Sequence, residues 1–284
     1  MSQPTERMGI EVGCQGWNYD DWVTGPSGGD RVFYPKGTRA TEMLEAYARA
    51  FGTVEVDSTF YAIPSIKTLE GWTRRTPSSF TFSLKLPQEI THQRALRDGS
   101  AELLLEFCER ARSLKERLAA VLIQLPPQFI ATPENVRALR DFLPHLPRDL
   151  RFSIEFRSAD WLEARGLKEF LATHNVSIAL VEGPWLEREA VRQLARQPTA
   201  DFVYLRWMGA RNLTRFDRIQ RPQDHNLRDW SRIITELSAS LPHIYAYFSN
   251  YYEGHAPASA NKLKRLLDQP FVEPADLEDQ PSLF

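Results

Sequence analysis

The sequence predicts a single (β/α)8 TIM barrel over residues 1–268, followed by a short acidic tail over residues 269–284. Three observations predict it. Eight short β-forming runs recur at a mean spacing of about 33 residues. Stretches with helical spacing of apolar residues separate them. No linker divides the 284 residues, a length that suits one α/β barrel.

The runs are IEVGC from Ile10, TVEVD from Thr53, FTFSLK from Phe80, AVLIQL from Ala120, RFSIEF from Arg151, VSIALV from Val176, DFVYLRW from Asp201 and HIYAYFSN from His243. TEMLEAYARAF places Met43, Leu44, Tyr47 and Phe51 on one helical face. Residues 100–118 read as one long amphipathic helix with Ser100 as its cap and Glu102 in its first turn. Thr132 followed by Pro133 is the usual cap-then-proline order for the next helix. ADWLEARGLKEFLATH, WLEREAVRQLARQ, LRDWSRIITELSASL and APASANKLKRLL supply the rest.

Composition narrows the function. The chain is 42% hydrophobic and 25% charged, with a formal net charge of −2, so no global basic field favours nucleic acid. Cys14 and Cys108 match no metal spacing, and Cys108 sits among apolar helix positions as a buried thiol would. The amino terminus has no apolar signal core, and no apolar run is long enough to cross a membrane. These features predict a cytoplasmic protein with no membrane partner. Neither a P-loop nor a GxGxxG is present, so no nucleotide cofactor of those kinds is expected.

Alternation along the strands predicts the lumen. Val54 and Val56 take the helix side, which turns Glu55 and Asp57 inward. Phe80, Phe82 and Leu84 leave Thr81, Ser83 and Lys85 inside. Gln124 ends the fourth run inside. Phe152, Ile154 and Phe156 leave Ser153, Glu155 and Arg157 inside. Val203, Leu205 and Trp207 leave Tyr204 and Arg206 inside. A barrel lumen is usually filled by Val, Ile and Leu. This one is predicted to hold three carboxylates and three cations, mostly at the carboxyl ends of the strands, where barrel enzymes keep their sites. Such a set is either a self-satisfied ion network, with pairs Glu55–Lys85 and Glu155–Arg157, or a polar pocket for a phosphate or carboxylate.

Loops above these strands add candidates. His92 follows Lys85 as a possible acid/base. Gln15, Trp17 and Asn18 follow the first run, Tyr61 the second, and Ser249, Asn250 and His255 the eighth. Trp17, Tyr19, Trp22 and Tyr61 form either a stacking wall or an apolar plug. The histidines are scattered singly and cations crowd the carboxylates, so no metal site is expected. The segment from Arg206 to Arg232 carries seven arginines against three aspartates and is the best candidate for contact with a nucleic-acid backbone.

With these residues in view, the chain resembles the YecE-like family, a domain of unknown function (seventy-two in its series). The matching stretches are GCQGWNYDDW, FYP at Phe33–Pro35, VEVDSTFYAIP, FTFSLKLPQEITH, IQLPPQF, IEFRSADW, YLRWMG and YFSNYYEGHAPASA. The family is similar to TIM barrels of the xylose-isomerase and endonuclease-IV kind, and its activity is not established. The resemblance implies site positions Glu55, Tyr61, Lys85, His92, Gln124, Glu155, Arg157, Arg206 and Asn250. The chain departs from the family pattern at Met208, Ser249 and Ser259.

The last residues, QPSLF, resemble the pentapeptide by which bacterial replication and repair proteins dock on the DNA sliding clamp, with Pro281 in place of the usual second residue. Gln280, Ser282, Leu283 and Phe284 fit, on an acidic linker that presents two apolar anchors. The leading expectation is an enzyme for a phosphate-bearing ligand, including a nucleic-acid end. Lys85, Arg157 and Arg206 would hold the anion, with Glu55 or Glu155 as base and His92 as partner. Trp17, Asp57, Tyr61, Gln124, Tyr204 and Asn250 would complete the substrate site. A sugar or sugar-phosphate hydrolase, a Lys85 Schiff-base lyase and a non-catalytic anion receptor are the alternatives.

Overall fold

The computed structural model describes residues 9–24 and 32–277. All eight runs form strands, and every pairing between them is parallel. They are β1 (Gly9–Gln15), β2 (Thr53–Val56), β3 (Thr81–Lys85), β4 (Leu118–Gln124), β5 (Phe152–Glu155), β6 (Val176–Ile178), β7 (Leu180–Glu182), β8 (Phe202–Trp207) and β9 (His243–Phe248). Nine strands come from eight runs because the sixth breaks at Ala179. The order is β6-β5-β4-β3-β2-β1-β9-β8-β7. The first half of the sixth run therefore pairs with β5 and the second half with β8. Thr199 fills the gap left beside β6: its hydroxyl accepts from the Ile178 N–H at 3.1 Å and donates to the Val176 carbonyl at 2.7 Å.

The outer layer holds α1 (Met43–Ala50), α2 (Ile66–Arg74), α3 (Ser100–Ala111), α4 (Pro133–Phe142), α5 (Asp160–Glu163), α6 (Leu167–Thr173), α7 (Arg188–Ala195), α8 (Asp224–Ser238), α9 (Asn250–Glu253) and α10 (Ala256–Leu266). Thr132 caps α4 as predicted, its hydroxyl accepting from the Asn135 N–H. Three readings need correction. The helix from Ser100 stops at Ala111, because a 3-10 turn with Lys115 at φ 53° carries the chain into β4. Its cap is Gly99 at φ 77°, not Ser100. Residues 159–174 form two helices, separated by Gly166 at φ 78°. The structure also adds α2, which buries only Leu69 and Trp72 and is announced in the sequence by little more than its cap, Ser65.

Two apolar clusters result. One lies between sheet and helices and includes Val54, Val56, Phe82, Leu84, Ile154, Val203 and Leu205. The other fills the lower lumen with Ala120, Leu122, Tyr204, Tyr245 and Tyr247. Two of these tyrosines bury a hydroxyl that is partnered: Tyr247 meets Thr53 Oγ1 and Ser83 Oγ, each at 2.8 Å, and Tyr204 meets Glu55.

The segment read as tail lies against the barrel through Leu277. Gln269 donates to the Ile10 carbonyl at 2.8 Å, Asn261 donates to the Val272 carbonyl at 2.9 Å, and Leu277 is buried. Gln280, Ser282, Leu283 and Phe284 lie outside the described residues. No described helix is long and apolar enough to cross a membrane.

One side chain completes the sheet between β1 and β2. These strands pair only at Cys14–Val54 and Gln15–Glu55. Below that point the Tyr47 hydroxyl enters, accepting from the Cys14 N–H at 2.8 Å and donating to the Thr53 carbonyl at 2.9 Å. Gly13 makes room, since a Cβ there would sit 2.3 Å from the Thr53 oxygen. Tyr47→Phe orphans both buried backbone groups and is expected to destabilise the fold by about 1–3 kcal/mol in urea denaturation. An unchanged midpoint would show that the bridge contributes nothing.

Candidate functional site

The lumen charges sort into two tiers. In the lower tier the Arg206 guanidinium is fully buried between two fully buried carboxylates. Its Nε donates to Glu55 Oε2 at 2.8 Å and its Nη2 to Glu55 Oε1 at 2.7 Å, the bidentate fork that suits arginine. Its Nη1 donates to Glu155 Oε2 and, at 3.3 Å, to Gln124 Oε1. Tyr204 donates its hydroxyl to Glu55 Oε2 at 2.8 Å. β2, β4, β5 and β8 each turn one polar residue into the lumen near the carboxyl end of the strand, and Gln124 and Glu155 are direct register partners.

Electrostatics agree with the geometry. Burial works against the Arg206 charge, but Glu155 and Glu55 outweigh it and raise its pKa. Burial also works against the Glu155 carboxylate, and there Arg206 and Arg157 win, holding it below the usual carboxylate range. Burial and the adjacent Glu55 push the Tyr204 hydroxyl up, so it stays a donor. Burying such ions stabilises little unless every one is paired, and here the pairing is nearly complete.

The upper tier opens to solvent. Lys85 sits at the rim of the ion network, bonded to Asp57 and 3.4 Å from Glu55 Oε1. Asp57, unlike Glu55 and Glu155, has access to water, its side chain 40% exposed. Arg157 donates its Nε to Glu155 Oε1 at 2.5 Å and lies over the Trp185 ring at 3.9 Å. Its Nη2 has no hydrogen-bond partner. Burial, partly offset by Glu155, lowers the Arg157 pKa.

These groups line a mouth cavity of about 350 Å³, with Gln15, Tyr19, Phe60, Tyr61, Gln88, His92, Gln124, Met208, Arg211, Ser249 and Tyr251 completing it. His92 stands on a π-helical turn, Glu89–Gln93, that leaves β3. The Thr91 hydroxyl lies 3.3 Å from the Pro87 carbonyl and 2.9 Å from His92 Nδ1, a contact whose direction follows the imidazole tautomer. With the proton on Nδ1, Nε2 carries the lone pair that faces a ligand. Burial, then Arg157, lowers the His92 pKa, which favours this neutral form.

Of the residues singled out from sequence, Asp57, Tyr61, Lys85, His92, Gln124 and Arg157 meet at the cavity. Glu55, Glu155, Tyr204 and Arg206 lie beneath it, closed off from solvent. Trp17 packs edge-on against Trp72 at 5.8 Å and is not part of the lining. Asn250 is buried behind the wall, accepting from Trp22 Nε1 and the Ala256 N–H, each at 3.0 Å. His255 is buried against Trp22, its pKa pulled down to about 4 by burial. Phe60, Gln88 and Tyr251 were not anticipated, because loop residues carry no alternation signal. Among the described residues no group of three or more His, Cys, Asp or Glu is disposed to hold a metal.

This parallel α/β barrel carries its charged cavity at the carboxyl ends of the strands, among the βα loops. Among such barrels the family is specific. The profile described as "Protein of unknown function DUF72" matches residues 11–282, and the chain belongs to that family. It is 27% identical over 278 residues to the UPF0759 protein YunF of Bacillus subtilis, covering 91% of this chain and 95% of the relative. It is 27% identical over 244 residues to the UPF0759 protein YecE of Escherichia coli K12, covering 80% and 84%. A crystal structure of a DUF72 family protein from Thermotoga maritima superposes with a TM-score of 0.73 at 24% identity, over 92% of this chain and 99% of that one. One from Enterococcus faecalis gives 0.71 at 20% identity, over 97% and 99%. Both share the fold.

Arg206→Met leaves Glu55 and Glu155 buried around a missing cation. It is expected to cost about 3–5 kcal/mol at pH 7. In the native protein the depressed Glu155 pKa gives stability that is present above the usual carboxylate range and lost as pH falls through the folded value. In the variant, stranded carboxylates have raised pKa values and are relieved by protonation. The stability gap should therefore narrow on acidification toward pH 4, as followed by thermal melts. A gap that stays constant with pH would refute the lock.

Proposed function

We propose that this protein is an enzyme that binds a phosphate-bearing ligand in the mouth of the barrel and moves a proton on it with His92. The observation that carries the reading is Arg157. Glu155 and Trp185 fix its guanidinium at the cavity wall, yet Nη2 finds neither a protein acceptor nor bulk water. A guanidinium at the cavity wall with an unfilled donor suits a phosphate oxygen, toward which Nη2 turns when a ligand enters. Arg211, exposed on the next loop but one of the ring, adds a second cation to the same cavity.

The acid/base assignment follows accessibility. Glu55 and Glu155 are both saturated by Arg206 and shielded from solvent, which leaves Asp57 and His92 as the groups able to reach a ligand. His92 Nε2 would serve as base and the Asp57–Lys85 pair would orient the leaving or attacking group. A glycosidase that needs two free carboxylates is disfavoured by the same lock.

Calorimetric titration with inorganic phosphate tests the binding half. Arg157→Lys and Arg211→Gln should each weaken binding by about tenfold or more while melting temperatures hold within a few degrees. Unchanged affinity in both variants would sink the phosphate site. For the chemistry, hydrolysis of the p-nitrophenyl ester of thymidine 5′-monophosphate should fall on acidification through a pKa below the usual imidazole value of about 6.5. His92→Gln should remove that acid limb together with turnover; a variant that keeps both excludes His92 as the base.

The carboxyl-terminal QPSLF supports a second part of the proposal, recruitment to the DNA sliding clamp through Gln280, Ser282, Leu283 and Phe284. Deleting residues 280–284 should end capture by an immobilised bacterial sliding clamp and leave the melting temperature unchanged. Capture that survives the deletion rules the docking out.

A further inference from the structure

A phosphate site accounts for the cationic side of the mouth and leaves its aromatic side without a role. Tyr61 is 72% exposed, the most exposed of the large hydrophobic side chains among the described residues. It is nevertheless firmly based. It closes the 3-10 turn Ser58–Phe60. Within that turn the Thr59 hydroxyl accepts from the Lys85 N–H at 3.0 Å and donates to the Lys85 carbonyl at 2.9 Å. Phe60 packs edge-on against Tyr61 at 5.4 Å and against His92 at 4.9 Å. A tyrosine held this way offers a flat π surface at small conformational cost.

The strand order arranges the rest. Tyr61, Tyr19 and Tyr251 follow β2, β1 and β9, which are neighbours, so the aromatic residues share one arc of the mouth. Lys85 and Gln124 end β3 and β4, and Arg157 follows β5, on the arc beyond Tyr61. Arg211 follows β8 on a loop pinned in two places. The Phe216 N–H donates to Asp21 Oδ2 at 2.9 Å, and a Cβ on Gly209 would lie 2.0 Å from the Tyr251 carbonyl oxygen. One cavity of about 350 Å³ thus joins cations to an aromatic rim. That volume lies toward the small end of ligand sites, with room for one small-molecule unit and none for a duplex.

We infer that the mouth receives a single nucleotide unit, with its phosphate against Arg157 and Arg211 and its base stacked on Tyr61. The inference rests on the phosphate reading above and deepens it. A sugar phosphate would leave Tyr61 in water, and an uncharged aromatic would leave Arg157 short of its acceptor. Stacking tolerates any base, because every base has a π face. The unit is either a free nucleotide or the end of a single strand, whose next phosphates would meet Arg215 and Arg218, exposed farther along the same loop.

Calorimetry on the full chain separates these outcomes, using inorganic phosphate, ribose 5-phosphate, thymidine 5′-monophosphate and 5′-phosphorylated tetrathymidylate. Thymidine monophosphate is expected to bind about tenfold more tightly than ribose 5-phosphate. Tyr61→Ala, at an exposed position, should erase that advantage without changing the affinity for ribose 5-phosphate. Equal binding of the two ligands by the native protein, or an unchanged nucleotide affinity in Tyr61→Ala, overturns the nucleotide inference while inorganic phosphate still binds. Failure of the native protein to bind inorganic phosphate overturns both readings together. Tighter binding of the tetranucleotide, weakened by added salt and by Arg218→Gln, identifies a strand end; equal binding of tetranucleotide and monophosphate identifies a free nucleotide. Either result sustains the inference and names the source.

Discussion

A single guanidinium organises the interior of this barrel. Arg206 comes from β8 and reaches across the lumen to Glu55 on β2 and Glu155 on β5, strands that are not neighbours in the sheet. The three groups are useless to the fold singly and costly if stranded, so each requires the other two. Their mutual satisfaction sets the height at which the apolar lumen ends and the polar mouth begins. Below it, tyrosines and alanines fill the cylinder. Above it, Lys85 and Arg157 each lean on one of the locked carboxylates and line the mouth.

This arrangement divides labour between residues of the same type. Glu55 and Glu155 hold cations in position and have no remaining access to a ligand. Asp57, one step farther along the β2 strand direction, is exposed. A network that is closed at its base and open at its top keeps a preorganised cationic wall on rigid strands. The rigid elements behind it, the Trp185 stack and the Thr59 hydroxyl that clips the β2 turn to β3, serve the same end.

Much of this was legible in the sequence because alternation in a strand is strict. The period of two placed Glu55, Lys85, Glu155, Arg157 and Arg206 inside, and both anticipated ion pairs formed. What alternation cannot supply is depth and partner choice. It did not distinguish Asp57 at the surface from Glu155 beneath it, nor show that Arg206 would bind two carboxylates at once. Helices were read less well. The pattern from Ser100 to Leu118 ran through Lys115, whose positive φ is a backbone event with no apolar signature. The helix over Ile66–Arg74 was missed because two buried residues make no stripe. Loop positions such as Gln88 and Tyr251 reach the mouth through tertiary geometry, and Trp17 and Asn250, which look equally suitable in the sequence, turn away to pack.

The broken sixth run has a mechanical meaning. Along the hydrogen-bonded order, β6 and β7 are the two ends of one continuous ribbon, and they are consecutive in the chain, joined through Ala179. The ring is thus closed by covalent bonds where other neighbours rely on a ladder, with Thr199 as a patch on the inner end of the seam. A hoop with such a clasp concentrates its opening at one known place. Cutting the backbone at that residue would leave the Thr199 bonds to hold the seam, whereas a cut in any helix would leave the covalent clasp intact.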